Sequence, residues 1–140
     1  MTYSLIEHTA DTGLEVEAPT LDELFVEALR GMTDCITELE QVAPKTRRRI
    51  GVRAADLGQL LVEWLSEVVY VFEVEDLLSS QAEVEIKESE AGFELEATVA
   101  GEPFDPDRHP IKIAIKAVTY HQLAVEQTAS GWRARVIFDI

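Results

Sequence analysis

Between residues 57 and 100 the spacing of apolar side chains changes from a helical period to a period of two. That change confines the chain to folds that pack helices on sheets. Leu57, Leu60, Leu61, Trp64, Leu65, Val68, Val69 and Phe72 form one stripe, with Glu63 and Glu67 on the other side. Asp56 stands where it can cap this helix. Further on, Ala82, Val84 and Ile86 alternate with Glu83, Glu85 and Lys87. After a turn at Glu90-Ala91-Gly92, Phe93, Leu95, Ala97 and Val99 alternate with Glu94, Glu96 and Thr98. This spacing predicts a β-hairpin over 81–88 and 93–100 with one acidic, solvated face.

An earlier helical stripe runs through Leu21, Leu24, Phe25, Ala28, Leu29, Met32 and Ile36, so a first helix is expected from Leu21 to Ile36. Thr20 and Glu23 form a capping box at its start, and Asp22 and Glu23 favour the positive end of the helix dipole. Strands are expected over 2–7, 13–18 and 47–54, with a final hairpin over 122–127 and 132–138 turning at Ala129-Ser130-Gly131. Ile111, Ile113, Ile115 and Ala117 also alternate, which extends the run of strands back to 111–118. Residues 38–46 and 101–110 read as loops. The order is ββαβα followed by several strands. The fold class is therefore α+β, two amphipathic helices packed on a mainly antiparallel sheet, in one domain covering 1–140.

Hydrophobic residues make up 46% of the 140, enough for a core. Asp and Glu number 27 against 12 Lys and Arg, a net charge of −15, which opposes a general nucleic-acid binder by long-range repulsion of phosphates. Ten of the twelve bases fall in two segments. One holds Lys45, Arg47, Arg48, Arg49 and Arg53; the other holds Arg108, Lys112, Lys116, Arg133 and Arg135. They are either strand faces balanced by neighbouring Glu or, if they meet, a basic docking patch. The single cysteine, Cys35, excludes an intrachain disulfide and a Cys-based zinc site, and suits a reducing compartment. The N-terminus has no signal-peptide pattern, and no apolar run approaches the ~20 residues of a membrane span. The expected location is the cytoplasm, with no membrane association, and the expected state is a monomer because one core consumes the apolar faces.

Established catalytic signatures are missing: there is no Gly-x-Ser-x-Gly elbow, Gly-rich phosphate loop, His-Glu-x-x-His or EF-hand loop. Two segments stand out instead. His8-Thr9-Ala10-Asp11 reads as a polar turn between strands, in which Asp11 can simply cap backbone N–H groups. At the other end, Phe138-Asp139-Ile140 places an acid beside the terminal carboxylate at the end of an apolar strand. Like charges there call for a hard cation, a basic side chain or plain solvation. Lys116 either points outward or pairs with Asp139. His8, His109 and His121 make a metal cluster only if folding gathers them.

With these residues in view, the chain resembles the archease family. The likeness runs through His8-Thr9-Ala10-Asp11, Leu60-Leu61-Val62-Glu63-Trp64-Leu65, Gly101-Glu102-Pro103-Phe104, Lys116-Ala117-Val118-Thr119-Tyr120-His121 and Phe138-Asp139-Ile140. Thr12 departs from the family's frequent Ile after the aspartate. The resemblance implies a protein without an activity of its own that activates an RtcB-type RNA ligase, promoting its guanylylation and repeated turnover in tRNA splicing and RNA repair. GTP and manganese belong to that partner, and tRNA is met through it. By resemblance, Asp11 and Asp139 match the acids of a calcium-like divalent metal site that Ile140 completes. Arg108, His109 and Lys116, with His8, are candidates for holding the partner or nucleotide phosphates. Two other classes compete: a metal-dependent hydrolase using the same carboxylates, and a generic chaperone or RNA-binding modulator.

Overall fold

In a computed structural model that describes residues 1–7 and 11–140, the chain runs through β1 (Thr2–Glu7), β2 (Asp11–Ala18), α1 (Leu21–Ile36) and a 3-10 turn (Leu39–Gln41). It continues through β3 (Thr46–Ala54), α2 (Leu57–Glu75), β4 (Leu77–Ser89), β5 (Gly92–Pro103), β6 (Ala117–Thr128) and β7 (Gly131–Asp139). The strands divide into a four-stranded sheet of order β1-β2-β7-β6 and a three-stranded sheet of order β3-β5-β4, antiparallel at every pairing. Each helix bridges the two sheets: α1 packs on β2 and β4, and α2 on β3 and β6. The expected α+β architecture stands, with the strands shared between two antiparallel sheets.

Both helices begin as their caps direct. Thr20 Oγ1 accepts from the Glu23 N–H at 3.2 Å, and Asp56 Oδ1 accepts from the Gln59 N–H at 2.8 Å. Helix α2 ends on Asp76 in the left-handed region, φ 59°. The core between the layers includes Trp64, Phe25 and Phe138, all fully buried. Trp64 also locks the helices together, because its indole Nε1–H donates to the Phe25 carbonyl at 2.9 Å. Cys35 is buried at the end of α1.

Three segments depart from the expected pattern. The first strand of the expected hairpin begins at Leu77, and Leu77, Leu78, Ser79 and Ser80 are all buried rather than alternating. A bulge between Ser79 and Gln81 breaks the register there. Gly101 permits it: a Cβ at that position would lie 1.6 Å from the Leu78 carbonyl oxygen. The companion strand likewise runs on to Pro103, into the expected loop. Residues 111–116 join no ladder. They cross from one sheet to the other, tied by Lys112 N–H to the Ile36 carbonyl and Lys116 N–H to the Asp139 carbonyl, both at 2.8 Å. Their alternation reflects one-sided burial of Ile115.

The arginines of the two basic segments that lie in strands sit on different sheets, Arg47, Arg48, Arg49 and Arg53 on β3 and Arg133 and Arg135 on β7. Arg47, Arg49 and Arg53 face Glu83, Glu96 and Glu94, and Arg48 grips Glu75. Arg133 and Arg135 face Glu126 and Glu15. For these strand arginines the balancing of bases by neighbouring glutamates is what the fold adopts.

Candidate functional site

Strand β7 runs between β2 and β6, so it brings residues from the two ends of the chain into one register. The face of β2 that points away from the helices pairs Glu17 with Arg133, Glu15 with Arg135, Gly13 with Ile137 and Asp11 with Asp139. The first two pairs are of opposite charge and the last of like charge. Directly opposed like charges destabilise a ladder, so the end of this one holds an unfavourable arrangement that its neighbours avoid. Asp11 is the first residue of β2 rather than a turn residue, which is a correction to the sequence reading. Its Oδ1 is buried and makes no hydrogen bond among the described residues. Asp139 is exposed, and Ile140 half-buried beside it.

The close approach of β2 and β7 depends on Gly13. A Cβ there would come within 2.6 Å of the Val136 carbonyl and 2.7 Å of Ile137 Cδ1. Thr12, whose side chain is turned to the buried face, donates to the Ile6 carbonyl at 3.1 Å and ties β2 to β1 beside the aspartate.

Lys116 reaches this site by its backbone. Its N–H holds the Asp139 carbonyl at 2.8 Å. Its ammonium has no carboxylate within ion-pair distance among the described residues, so the side-chain pair with Asp139 is not formed. His8 lies outside the described residues.

Arg108 and His109 belong to a different cluster. His109 is 1% exposed, its ring stacked on Phe104. Nδ1 accepts the Asp105 N–H at 2.9 Å, which leaves Nε2–H to donate to Glu102 Oε1 at 2.7 Å and the Gln41 carbonyl at 3.0 Å. Arg108 Nη1 reaches Glu102 Oε2 at 3.1 Å. Burial would raise the Glu102 carboxyl, but hydrogen bonds from His109 and the Ala43 N–H, with the charge of Arg108, hold it below the usual carboxylate range. Both nitrogens of His109 are thus engaged within the chain. This cluster braces the crossing segment that ends at Lys116. Sequence reasoning missed Glu102 as its centre, although a lone acid between Gly101 and Pro103 followed by Arg108-His109 was visible.

Chemically, the Asp11–Asp139 pair offers carboxylate oxygens to a hard cation. Among the described residues no three His, Cys, Asp or Glu side chains converge, so further donors would be main-chain oxygens or water. A hydrolase would also need a positioned base and a substrate cleft at the carboxylates. A surface depression of about 300 Å³ lies instead over β3, β4 and β5, lined by Arg49, Glu83, Glu85, Glu96 and Thr98.

Two helices bridging two antiparallel sheets define a class of small α+β proteins that comparison with known proteins identifies. The family model of the archease protein family matches residues 3–140, and the chain belongs to that family. It is 41% identical to protein archease of Methanosarcina mazei, over 99% of this chain and 95% of that protein. It is 39% identical to protein archease of Methanopyrus kandleri over the full length of both. The solution structure of Methanobacterium thermoautotrophicum protein 1598 superposes with a TM-score of 0.83 at 29% identity, covering 99% of this chain and 98% of that one. A Thermotoga maritima protein described as an archease and possible chaperone shares the fold at a TM-score of 0.54 and 20% identity, over 100% of this chain and 98% of that one. No helix among the described residues is long and apolar enough to cross a membrane.

Proposed function

We propose that the chain is a protein activator of an RtcB-type RNA ligase, promoting guanylylation of the ligase and its repeated turnover in tRNA splicing and RNA repair. It acts through a divalent cation held by Asp11 and Asp139. The observation that carries this reading is the like-charged pair itself: a buried carboxylate oxygen without a hydrogen-bond partner among the described residues, on a residue that faces another aspartate across the ladder. A calcium-like ion, taking oxygen ligands from Asp11, Asp139 and the main chain of Ile140, would supply the missing positive charge. GTP and manganese are the ligase's own, and tRNA meets this chain only through the ligase.

The chain's residues then have distinct tasks. Gly13 lets β2 and β7 approach, Lys116 N–H fixes the Asp139 main chain, and the Glu102–His109–Arg108 cluster holds the segment leading to Lys116. The result is a pre-organised acidic tip that a partner's cleft can receive, consistent with a monomeric helper protein in the cytoplasm and with no turnover of its own. The test is a ligation assay with ligase limiting. Addition of this chain should carry product beyond one equivalent per ligase, and the chain alone should give none. An unchanged ligase turnover would overturn the reading.

A further inference from the structure

Strand β6 is the edge of its sheet, and its register against β7 breaks between Thr119 and Ala124. Across that break Tyr120, His121, Gln122 and Leu123 stand opposite Val136 alone, three residues more than the partner strand supplies. An ordinary bulge adds one. Gln122 sits at φ 53°, one of two non-glycine residues in the left-handed region among the described residues. The other, Asp76, ends α2 and is explained by that. A strained backbone persists only where its surroundings hold it, and such sites concentrate at functional surfaces.

The surroundings here do hold it. Thr119 Oγ1 donates to the Ile137 carbonyl at 2.9 Å and accepts the His121 N–H at 3.3 Å. Gln122 Oε1 accepts from Arg135 Nη1 at 3.0 Å. Leu123 packs over Gly58 in the first turn of α2, where an added Cβ would lie 3.0 Å from its Cδ2. With both flanks fixed, the bulge leaves Tyr120 58% exposed and His121 exposed. Three positions before Tyr120, Ala117 is the register partner of Asp139. Lys116 precedes it and is, with Lys45, one of two Lys or Arg side chains that no carboxylate approaches within 4.0 Å among the described residues.

We infer that the Tyr120–His121 bulge is a protein-docking anchor, the contact by which the partner ligase grips this chain beside the acidic tip. The inference rests on the activator reading above. A protein occupant is favoured by three features. The bulge removes the edge from strand pairing, so recognition there is by side chains. Tyr and His on a fixed backbone lose little freedom on binding, and Tyr is enriched among the residues that dominate protein interfaces. The bulge begins three positions along β6 from Ala117, the register partner of Asp139, so a protein seated on the carboxylate pair has it within a short reach, whereas the net charge of −15 opposes RNA as the direct occupant.

The experiment titrates the intact ligase with the full-length chain, by calorimetry, for the wild type and the Tyr120→Ala, Tyr120→Phe, His121→Ala and Asp11→Ala variants. Tyr120→Ala should weaken binding at least tenfold with an unchanged melting temperature, and Tyr120→Phe should restore most of the affinity. Wild-type binding with Tyr120→Ala and His121→Ala equally tight overturns the anchor and leaves the activator reading standing. A wild type that does not bind the ligase at all overturns both. Salt-sensitive binding of RNA alone, lost in Tyr120→Ala, overturns the anchor in favour of a nucleic-acid contact.

Discussion

Replacing Asp139 by asparagine keeps the shape of the side chain and removes one charge from the pair it forms with Asp11. Side chains directly opposed on an antiparallel ladder stand about 5 Å apart. At that separation two unit charges repel by about 0.8 kcal/mol in water and by about 3 kcal/mol at an effective dielectric of 20. Asp139 is exposed, so the lower end applies, and the variant should be more stable than the wild type by about 1 kcal/mol in the presence of a chelator. For a chain of this size that is a rise in Tm of about 4 °C. Calcium should reverse the order. A ligand at a hundred times its Kd stabilises by about 2.7 kcal/mol, a gain open to the wild type and closed to the variant. Thermal melts in chelator and in calcium read both halves. Glu90→Gln, a charge removed at the exposed β4–β5 turn, should change stability by less than ~0.5 kcal/mol and controls for net charge. An Asp139→Asn protein that melts below the wild type in chelator, or that gains as much from calcium, would refute the like-charge account of this site.

Other consequences can be checked by melting and pH titration. Glu102 is held below the usual carboxylate range in the folded protein, so its contribution is present above that range and is lost as the pH falls through it. The wild type should exceed Glu102→Gln by about 2 kcal/mol near neutrality, a margin that closes on acidification; a margin constant down to pH 3 would contradict this. Tyr3 is pushed up to about 12 by burial and by its hydrogen bond to Asp34. That contribution is complete below pH 10 and fades as the pH rises toward 12, so Tyr3→Phe should show a flatter alkaline limb, read from denaturant midpoints across that window. Gly101→Ala places a Cβ 1.6 Å from the Leu78 carbonyl and should cost more than ~4 kcal/mol, seen as loss of cooperative unfolding or of soluble protein.

The elements legible in the sequence are those with one buried face. Helix α1 has the expected bounds, Leu21 to Ile36, because its stripe and its Thr20 cap agree. The stretch Leu77–Ser80 carried no signal because a bulge there is buried on all sides, and alternation records only one-sided burial. Ile111, Ile113 and Ile115 gave the opposite error, an alternating run without a ladder partner in which Ile113 and Ile115 pack on the core and Ile111 is exposed. For the site, Asp11 and Asp139 were marked by chemistry and by family resemblance, but only the strand order could place them opposite each other. His109 was legible as a polar residue in an irregular loop. Its burial against Glu102 follows from a contact with the Gln41 carbonyl, 68 residues away, which no local pattern encodes.

The division of labour in this fold is by sheet. The β3-β5-β4 sheet pairs Glu83, Glu96 and Glu94 with Arg47, Arg49 and Arg53, and ends in the braced Glu102–His109 corner. The β1-β2-β7-β6 sheet neutralises Glu15 and Glu126 with Arg135 and Arg133, then leaves the pair at its end without a cation among the described residues. A charge left uncompensated where the neighbouring pairs are matched is the physical signature on which the functional reading rests.

That reading is tested most directly by single-turnover guanylylation of a cognate RtcB-type ligase, with and without this chain, beside folded Asp11→Ala and Asp139→Ala variants. The account predicts faster guanylylation with the wild type and none of that gain with either variant. Equal stimulation by all three proteins would remove the carboxylate pair from the mechanism, and no stimulation by the wild type would contradict the activator function itself.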